Sequence, residues 1–422
     1  MKKIVIAIDG TAGSGKTTIC LRLAYLLDYI PVLTGKLYRG VGAYIKRHNL
    51  KPEEIKEKIK DLKIEYKFEE NIPKIFINEK DFTQELSDPE VEKITSKIAE
   101  LKEIRDFLYN LQRNFVEKKG VIMEGRDIGT VIAPDADLKI YMDADIKTRA
   151  ERRLKDFKEK GRKMSYEMVL KELEERDKRD KERINAPLKK AKDAYFIDTT
   201  DKEIDEVLYE ILKLAYKKIY TSIRDKLRWK IGYVITYPII KWLLGMKIEG
   251  RENLLKRGPC IITPNHVTFW DPPFVGFAVK RECYFLAKID LFLTNPLFAW
   301  LIRTFNAIPL RKGAGAVSAY ENAERFLKEG RVIVIFPEGT RSKTGKLLPF
   351  KKGAASLACK TKVPVYPVYI ENVKEGPLKW ITRKKRLRIK IDKPLLPYDN
   401  TKEYVEEFNK KIEERIKKLM ST

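Results

Sequence analysis

Histidine is nearly missing from this chain: only His48 and His266 occur in 422 residues. The four cysteines, Cys20, Cys260, Cys283 and Cys359, lie far apart, with no C-x-x-C pair and no histidine cluster near them. That pattern indicates a reducing compartment and argues against a structural zinc. No G-x-S-x-G elbow is present, which argues against an acyl-serine intermediate. The uncharged run from Ile231 to Ile240 falls short of the about 20 apolar residues that a bilayer span needs. Met1-Lys2-Lys3 leads straight into the apolar run "IVIAID", so no signal peptide is expected. There is no internal repeat and no low-complexity tract long enough to act as a flexible linker.

What is present is size, apolar content and charge. The length and a 43% apolar content suit two domains, each with its own core. Residues 1–220 hold 47 of the 87 Lys+Arg and 42 of the 61 Asp+Glu, a net of +5, and the remainder carries +21. A basic half of this kind suits nucleic acid, a phospholipid surface or an acidic carrier protein. A lysine-rich thermophile surface is the bland alternative, since glutamine is almost absent while Lys, Glu and Ile abound.

The first half alternates apolar runs with helical patterns, the rhythm of a parallel sheet covered on both faces. Strands are expected at 4–9, 29–34, 120–124, 137–143 and 194–199, with a β-hairpin inserted between the second and third. A change in composition near 218–226 divides the chain into domains 1–220 and 221–422. The segment "LRWKIGYVITYPIIKWLLGMKI" (227–248) reads as a helical pair in the lipid headgroup layer. Trp229, Tyr233, Tyr237 and Trp242 would stand at the boundary, with a buried core helix as the alternative. A second βα series and a basic amphipathic helix from about Thr401 follow, so both domains are expected to be α/β.

"GTAGSGKT" matches G-x-x-x-x-G-K-[ST] between an apolar strand and a helix. Gly10, Thr11, Ala12, Gly13, Ser14 and Gly15 would turn backbone N–H groups onto phosphate oxygens, joined by Lys16, Thr17 and Thr18. Lys16 would reach the outer phosphates and Thr17 would offer its hydroxyl to Mg²⁺. Three further clusters, "TGKLYRG", "EGRDIGT" and "ERDKRDKERINAPL", bring arginines that suit transfer between two polyanions. On these residues the half resembles the bacterial cytidylate kinases, from Met1 to about Tyr216. The resemblance implies a P-loop nucleoside-monophosphate kinase fold. It puts Thr34, Gly35, Tyr38 and Arg39 on the CMP side. Ser96, Arg105, Arg126 and Asp127 would meet the nucleotide there, with Arg176 and Arg183 on its phosphate and Asp180 on its ribose. Arg149, Arg152 and Arg153 would open a lid over ATP. Two positions depart from the family pattern: Leu33 replaces an acidic residue and Lys36 a small one.

In "TPNHVTFWDPP", His266 and Asp271 are five apart, about 140° from each other on a regular helix. Pro264 and the "DPP" sequence suggest instead a loop curling into a helix capped by Asp271, which would return the carboxylate to the imidazole. The aspartate would fix the tautomer and the other ring nitrogen would take a hydroxyl proton. "FNAIPLR", "FPEGTRS" and "KVPVYPVYI" follow in order. Together these blocks resemble the 1-acyl-glycerol-3-phosphate acyltransferases of the glycerolipid family, from about Trp229 to Leu396. The resemblance implies His266 as base and Asp271 as its orienter. Lys288, Arg311, Glu338, Gly339, Thr340 and Arg341 would bind the acceptor, Glu338 and Arg341 sharing in catalysis. Asn306 stands where that family has glycine.

The expectation is a bifunctional enzyme that phosphorylates CMP, and dCMP, with ATP and Mg²⁺, and acylates lysophosphatidate from acyl-CoA or acyl carrier protein. No resident cofactor is expected for the second activity. The chain would be cytoplasmic, its basic half lying on the inner face of an anionic membrane. The competing readings are a kinase tethered by a catalytically silent lipid-binding module, and a nucleic-acid-binding basic half; against the latter, no binding fold is recognisable and "RKKRLRIK" reads as a strand edge, so no nucleic-acid partner is expected.

Overall fold

The computed structural model describes residues 2–69, 72–159, 161, 163–221, 227–293, 295–310, 314–382 and 384–421. They form two compact units, Lys2–Lys218 and Ile219–Thr422.

The strands of the first unit are β1 (Val5–Gly10), β2 (Ile30–Leu33), β3 (Ile64–Glu69), β4 (Ile72–Ile77), β5 (Lys80–Asp81), β6 (Val121–Gly125), β7 (Leu138–Asp143) and β8 (Tyr195–Asp198). Five of them make a wholly parallel sheet in the order β2-β6-β1-β7-β8. β1 lies at its centre, so every one of its residues is buried and it reads as a continuous apolar run rather than an alternating one. The sheet's order diverges at β1, and the loop that follows opens at the carboxyl ends of the strands, where such sheets form their crevice. β3, β4 and β5 form a separate antiparallel sheet, a hairpin extended by one short strand. Its inward residues Ile64, Tyr66, Ile75 and Ile77 pack on Leu37, Val41 and Ile45 of the helix Thr34–Arg47. That packing anchors the helix that carries Tyr38 and Arg39.

The second unit holds β9 (Lys247–Glu249), β10 (Cys260–Pro264), β11 (Cys283–Lys288), β12 (Ala307–Leu310), β13 (Val332–Val334), β14 (Val365–Glu371) and β15 (Arg388–Ile391). The sheet order is β12-β11-β13-β10-β14-β15-β9. Pairing is parallel from β12 through β14, turns antiparallel at β15, and is parallel again between β15 and β9. The helix Lys402–Ser421 buries Phe408, Ile412 and Ile416 against Ile261, Ile333 and Val365. Each such side chain contributes about 1.5–3 kcal/mol by leaving water.

Three expectations about this unit are corrected. "RKKRLRIK" does not end at a sheet edge: β15 lies between β14 and β9. Lys390 is buried there because its stem packs in the sheet while its ammonium reaches the Leu419 carbonyl at 3.2 Å. Over 227–248 there is one helix, Leu227–Leu243, followed by β9, in place of a helical pair. Its aromatic face turns inward: Trp229 lies about van der Waals distance from the place a Cβ would take on Gly276, and Tyr233 meets Phe277 at 6.2 Å. The exposed face carries Leu227, Ile231, Val234, Ile235 and Trp242. Finally, Asp271 is the first residue of the helix Asp271–Val279 rather than its cap, a place held by Trp270.

Candidate active sites

In the first unit the loop after β1 is shaped by Gly10, Gly13 and Gly15, all at positive φ. Gly10 is obligatory on steric grounds as well, since a Cβ there would lie 1.8 Å from the Met142 carbonyl oxygen of β7. Lys16 opens the helix Lys16–Leu27 and is buried. Its ammonium donates to the Thr11 carbonyl at 2.5 Å and to Ser14 Oγ at 3.4 Å. Burial, and next the charge of Arg126, pull its pKa down to about 7. Thr11 Oγ1 donates to Asp143 at 2.6 Å, and Thr17 Oγ1 lies 3.4 Å from the Glu124 carboxylate. Asp9 accepts the Ile128 and Gly129 amides at 2.8 and 2.7 Å, tying "EGRDIGT" to β1. Its burial pushes that carboxyl up to about 6.

Around this loop the arginines are each held by a carboxylate or a carbonyl. Arg149 is buried beneath it, donating to the Ala12 carbonyl at 3.0 Å and to Asp177 at 2.6 Å. Arg152 holds the Thr199 carbonyl at 2.6 Å. Arg39, Arg153 and Arg176 converge on one oxygen of Glu92, at 2.8, 3.5 and 3.5 Å. Arg105 and Arg183 flank Asp127: Arg105 pairs with its Oδ2, and Arg183 lies 3.6 Å from its Oδ1. The Arg105 guanidinium stands 6.0 Å over the Tyr38 ring. Arg126 donates to Asp180 at 2.8 Å. Burial alone would raise the Asp180 carboxyl, but Arg126 outweighs it and holds it below the ordinary value. Ser96 donates back to the Glu92 carbonyl, and Thr34 to the Glu124 carbonyl. Gly35 follows Thr34 on the same helix and Thr18 follows the loop on its own.

This pocket can therefore neutralise several phosphates at once and read a polar base edge with a carboxylate between two guanidiniums. Leu33 is buried at the end of β2, in register with Glu124. Glu92 and Glu124 were not singled out in the sequence. Glu124 lies near the end of a buried strand, where a carboxylate without a function is not expected, a legible signal. Glu92 sits in a charge-rich helix that reads as an ordinary solvated face.

In the second unit the chain leaves β10 through Asn265, reaches His266 and turns into the helix Asp271–Val279. The turn brings the two side chains together: His266 Nδ1 lies 2.7 Å from Asp271 Oδ2. That same oxygen accepts the Val267 and Thr268 amides at 2.6 and 2.9 Å, and Oδ1 accepts the Thr268 hydroxyl at 2.8 Å. Asp271 is fully buried, so its charge is held by four donors rather than by water. The imidazole stacks on Phe336, centroids 4.1 Å apart, and stays partly exposed. With Nδ1 engaged, Nε2 is the ring atom left for a substrate.

Glu338 is buried, and both its oxygens hold backbone amides: His266 N at 2.6 Å and Leu348 N at 2.9 Å. Burial pushes its carboxyl up. It fixes the histidine loop and does not reach outward. Ser342 N donates to the His266 carbonyl at 2.8 Å, completing that brace. Gly339 has φ +67, and a Cβ there would meet the end of the Lys351 side chain at 2.9 Å, so Lys351 crosses the loop where only glycine leaves room. Arg341 is exposed, its guanidinium 3.6 Å above the Phe269 ring. Thr340 and Lys288 are exposed too, Lys288 at the end of β11. Arg311 lies outside the described residues. Asn306 has φ +59, the left-handed conformation that asparagine accepts after glycine. Its amide donates to the buried Glu282 at 3.0 Å. Sequence reasoning missed Thr268, Phe336 and Lys351; none belongs to a spacing with a mechanism of its own.

Comparison with known proteins follows this division. A family model described as cytidylate kinase matches residues 6–217, and one described as acyltransferase matches residues 245–371. The cytidylate kinase of Thermotoga neapolitana is 43% identical over 218 residues, covering 51% of this chain and 97% of that protein. The cytidylate kinase of Thermosipho melanesiensis is 44% identical over 214 residues, covering 50% and 97%. The solved structure of the 1-acyl-sn-glycerophosphate acyltransferase of Thermotoga maritima is 28% identical, covers 52% of this chain and 98% of that one, and has a TM-score of 0.38.

Proposed function

The chain belongs to the cytidylate kinase family and carries an acyltransferase domain behind that half, and from this premise we propose that it converts CMP and ATP to CDP and ADP, and lysophosphatidate and an acyl thioester to phosphatidate. For the kinase the carrying observation is the positive-φ glycine loop with Lys16 buried at its base. Backbone amides of Gly13 to Thr17 cradle the ATP phosphates, and Lys16 regains its charge against them. The Thr17 hydroxyl and the Glu124 carboxylate, 3.4 Å apart, are hard oxygen donors that fit a Mg²⁺ arriving with the nucleotide. When bound there, such an ion would supply charge neutralisation to the transferred phosphoryl group. Arg39, Arg176 and Arg153 hold the CMP phosphate and the moving group in line. An oxygen of that phosphate bonds to the γ-phosphorus as the bond to ADP breaks. Tyr38, Ser96, Arg105 and Asp127 face the base side; Arg183, expected on the phosphate, is assigned to this side instead because it lies 3.6 Å from Asp127; Arg126 with Asp180 face the ribose side.

For acyl transfer the carrying observation is the His266–Asp271 pair at 2.7 Å with the carboxylate fully buried. His266 Nε2 takes the proton of the acceptor hydroxyl, and that oxygen bonds to the thioester carbonyl carbon. The carbon–sulfur bond then breaks, and the imidazolium returns its proton to the thiolate. Asp271 stabilises the imidazolium meanwhile. Arg341, Lys288 and Lys351 supply cationic partners for the acceptor's phosphate.

Exposed Leu227, Ile231, Val234, Ile235 and Trp242 along one face of the helix Leu227–Leu243 support a reading in which this unit lies on an anionic membrane. Phe269 and Trp270, beside the histidine loop, are exposed as well. No described helix is long and apolar enough to cross a membrane. The deciding assay offers the full chain CMP, dCMP, UMP and AMP with ATP, and lysophosphatidate with acyl-CoA or acyl carrier protein. A preference for UMP or AMP, or acyl transfer that survives His266→Ala, rejects the corresponding half.

A further inference from the structure

Three arginines from three helices meet at a single carboxylate oxygen, Oε1 of Glu92, in the phosphate pocket of the first unit. Arg39 comes from Thr34–Arg47, Arg153 from Ile146–Glu159 and Arg176 from Tyr166–Glu182. Glu92 itself stands on the helix Pro89–Ile98. Arg39 is steadied further by the Leu86 carbonyl at 3.1 Å. Burial, and next the Arg126 charge, hold the Arg176 guanidinium down at about 10. Without an anion among them, these three cations and Arg126 would repel one another.

We infer that Glu92 is an internal placeholder for the substrate's phosphate. It collects the arginines while the pocket is vacant, competes with the incoming monophosphate, and gives way to it. The inference rests on the reading above that Arg39 and Arg176 receive that phosphate. The chemistry favours a placeholder over a simple brace. Its one oxygen takes all three guanidiniums, as a phosphate oxygen would, and the pair members are only partly exposed, so the competition is not lost to water. Glu92 is a positioning residue that sets affinity. It touches no reacting atom.

The test uses the full chain with Glu92→Gln, which keeps the shape and removes the charge. KM for CMP should fall roughly 3- to 10-fold, with a smaller change in kcat. Inorganic sulfate, as a competitive inhibitor against CMP, should tighten by a similar factor. The vacant variant should unfold at lower temperature than the native chain, and sulfate should restore the difference. Glu92→Asp, which keeps the charge on a shorter arm, should give intermediate values and serves if the glutamine variant does not fold. A KM that rises or stays put, with sulfate no better as an inhibitor, overturns the inference and leaves Glu92 a brace between helices. If CMP proves not to be the preferred substrate, the sulfate measurement against the preferred monophosphate still decides for or against the placeholder, so the two failures are distinguishable.

Discussion

Burial, and next the Arg126 charge, pull the Lys16 ammonium down to about 7, which leaves the neutral form favoured at pH 8. An unfolded chain keeps the ordinary value of 10.5. Between those values the unfolded state binds the extra proton, so this group's contribution to stability rises with pH from about 7 towards 10.5. Triphosphate oxygens reverse the balance by favouring the charged form. Binding of ATP with Mg²⁺ at pH 8 should therefore take up a fraction of a proton, read by calorimetry in two buffers of different ionisation enthalpy. At pH 6 the uptake from Lys16 should vanish, and equal uptake at both values would contradict the assignment. In the second unit, Glu338→Gln leaves one oxygen to serve the two amides of His266 and Leu348 and turns an N–H donor towards one of them. An unpaired buried donor costs about 1–3 kcal/mol. Acyl transfer should fall about 10- to 100-fold through displacement of the histidine loop. The shape of the pH profile should be unchanged, which separates loop positioning from proton transfer.

Among the elements, the helix Leu227–Leu243 shows what sequence pattern can and cannot say. Its composition announced an amphipathic segment, but Trp and Tyr suit both a core face and a headgroup face, so the pattern alone could not orient it. Packing on Gly276 and Phe277 decides: Trp229 and Tyr233 face inward, and the aliphatic stripe with Trp242 faces out. Replacing Ile231, Val234 and Ile235 together by serine should lower partition onto vesicles containing anionic lipid by about tenfold or more. Turnover of a short-chain, water-soluble acceptor should be unchanged, and loss of both would mean that the helix only supports the core. The phosphate loop was far more legible, because strand, glycines, lysine and helix occur in one continuous stretch whose spacing carries the mechanism. His266 and Asp271 were half legible: the two prolines announced a helix start, but not the turn that returns Asp271 to Nδ1. Arg39, Arg153 and Arg176 could be named from the sequence, but their meeting at Glu92 was not legible, since it joins residues from helices far apart in sequence.

For the whole molecule, the useful fact is that each compact unit contains its own sheet, core and candidate catalytic side chains among the described residues. His266→Ala should therefore abolish acyl transfer and leave CMP phosphorylation at its native rate, and Lys16→Ala should do the reverse. Ligands extend the same logic to stability, because anything that binds only the folded form of one unit stabilises that unit alone. At about 100 times its dissociation constant a ligand adds about 2.7 kcal/mol. ATP with Mg²⁺ and CMP should raise the unfolding temperature of the first unit, followed by protease resistance between Lys2 and Lys218, without moving that of Ile219–Thr422. Gly10→Ala supplies the converse. A Cβ forced to 1.8 Å from the Met142 carbonyl must push β1 and β7 apart and should weaken the first unit by several kcal/mol. Acyl transfer should survive that substitution. If it is lost along with kinase activity, or if nucleotide protects both units equally, the two units fold as one cooperative body and neither site can be varied alone.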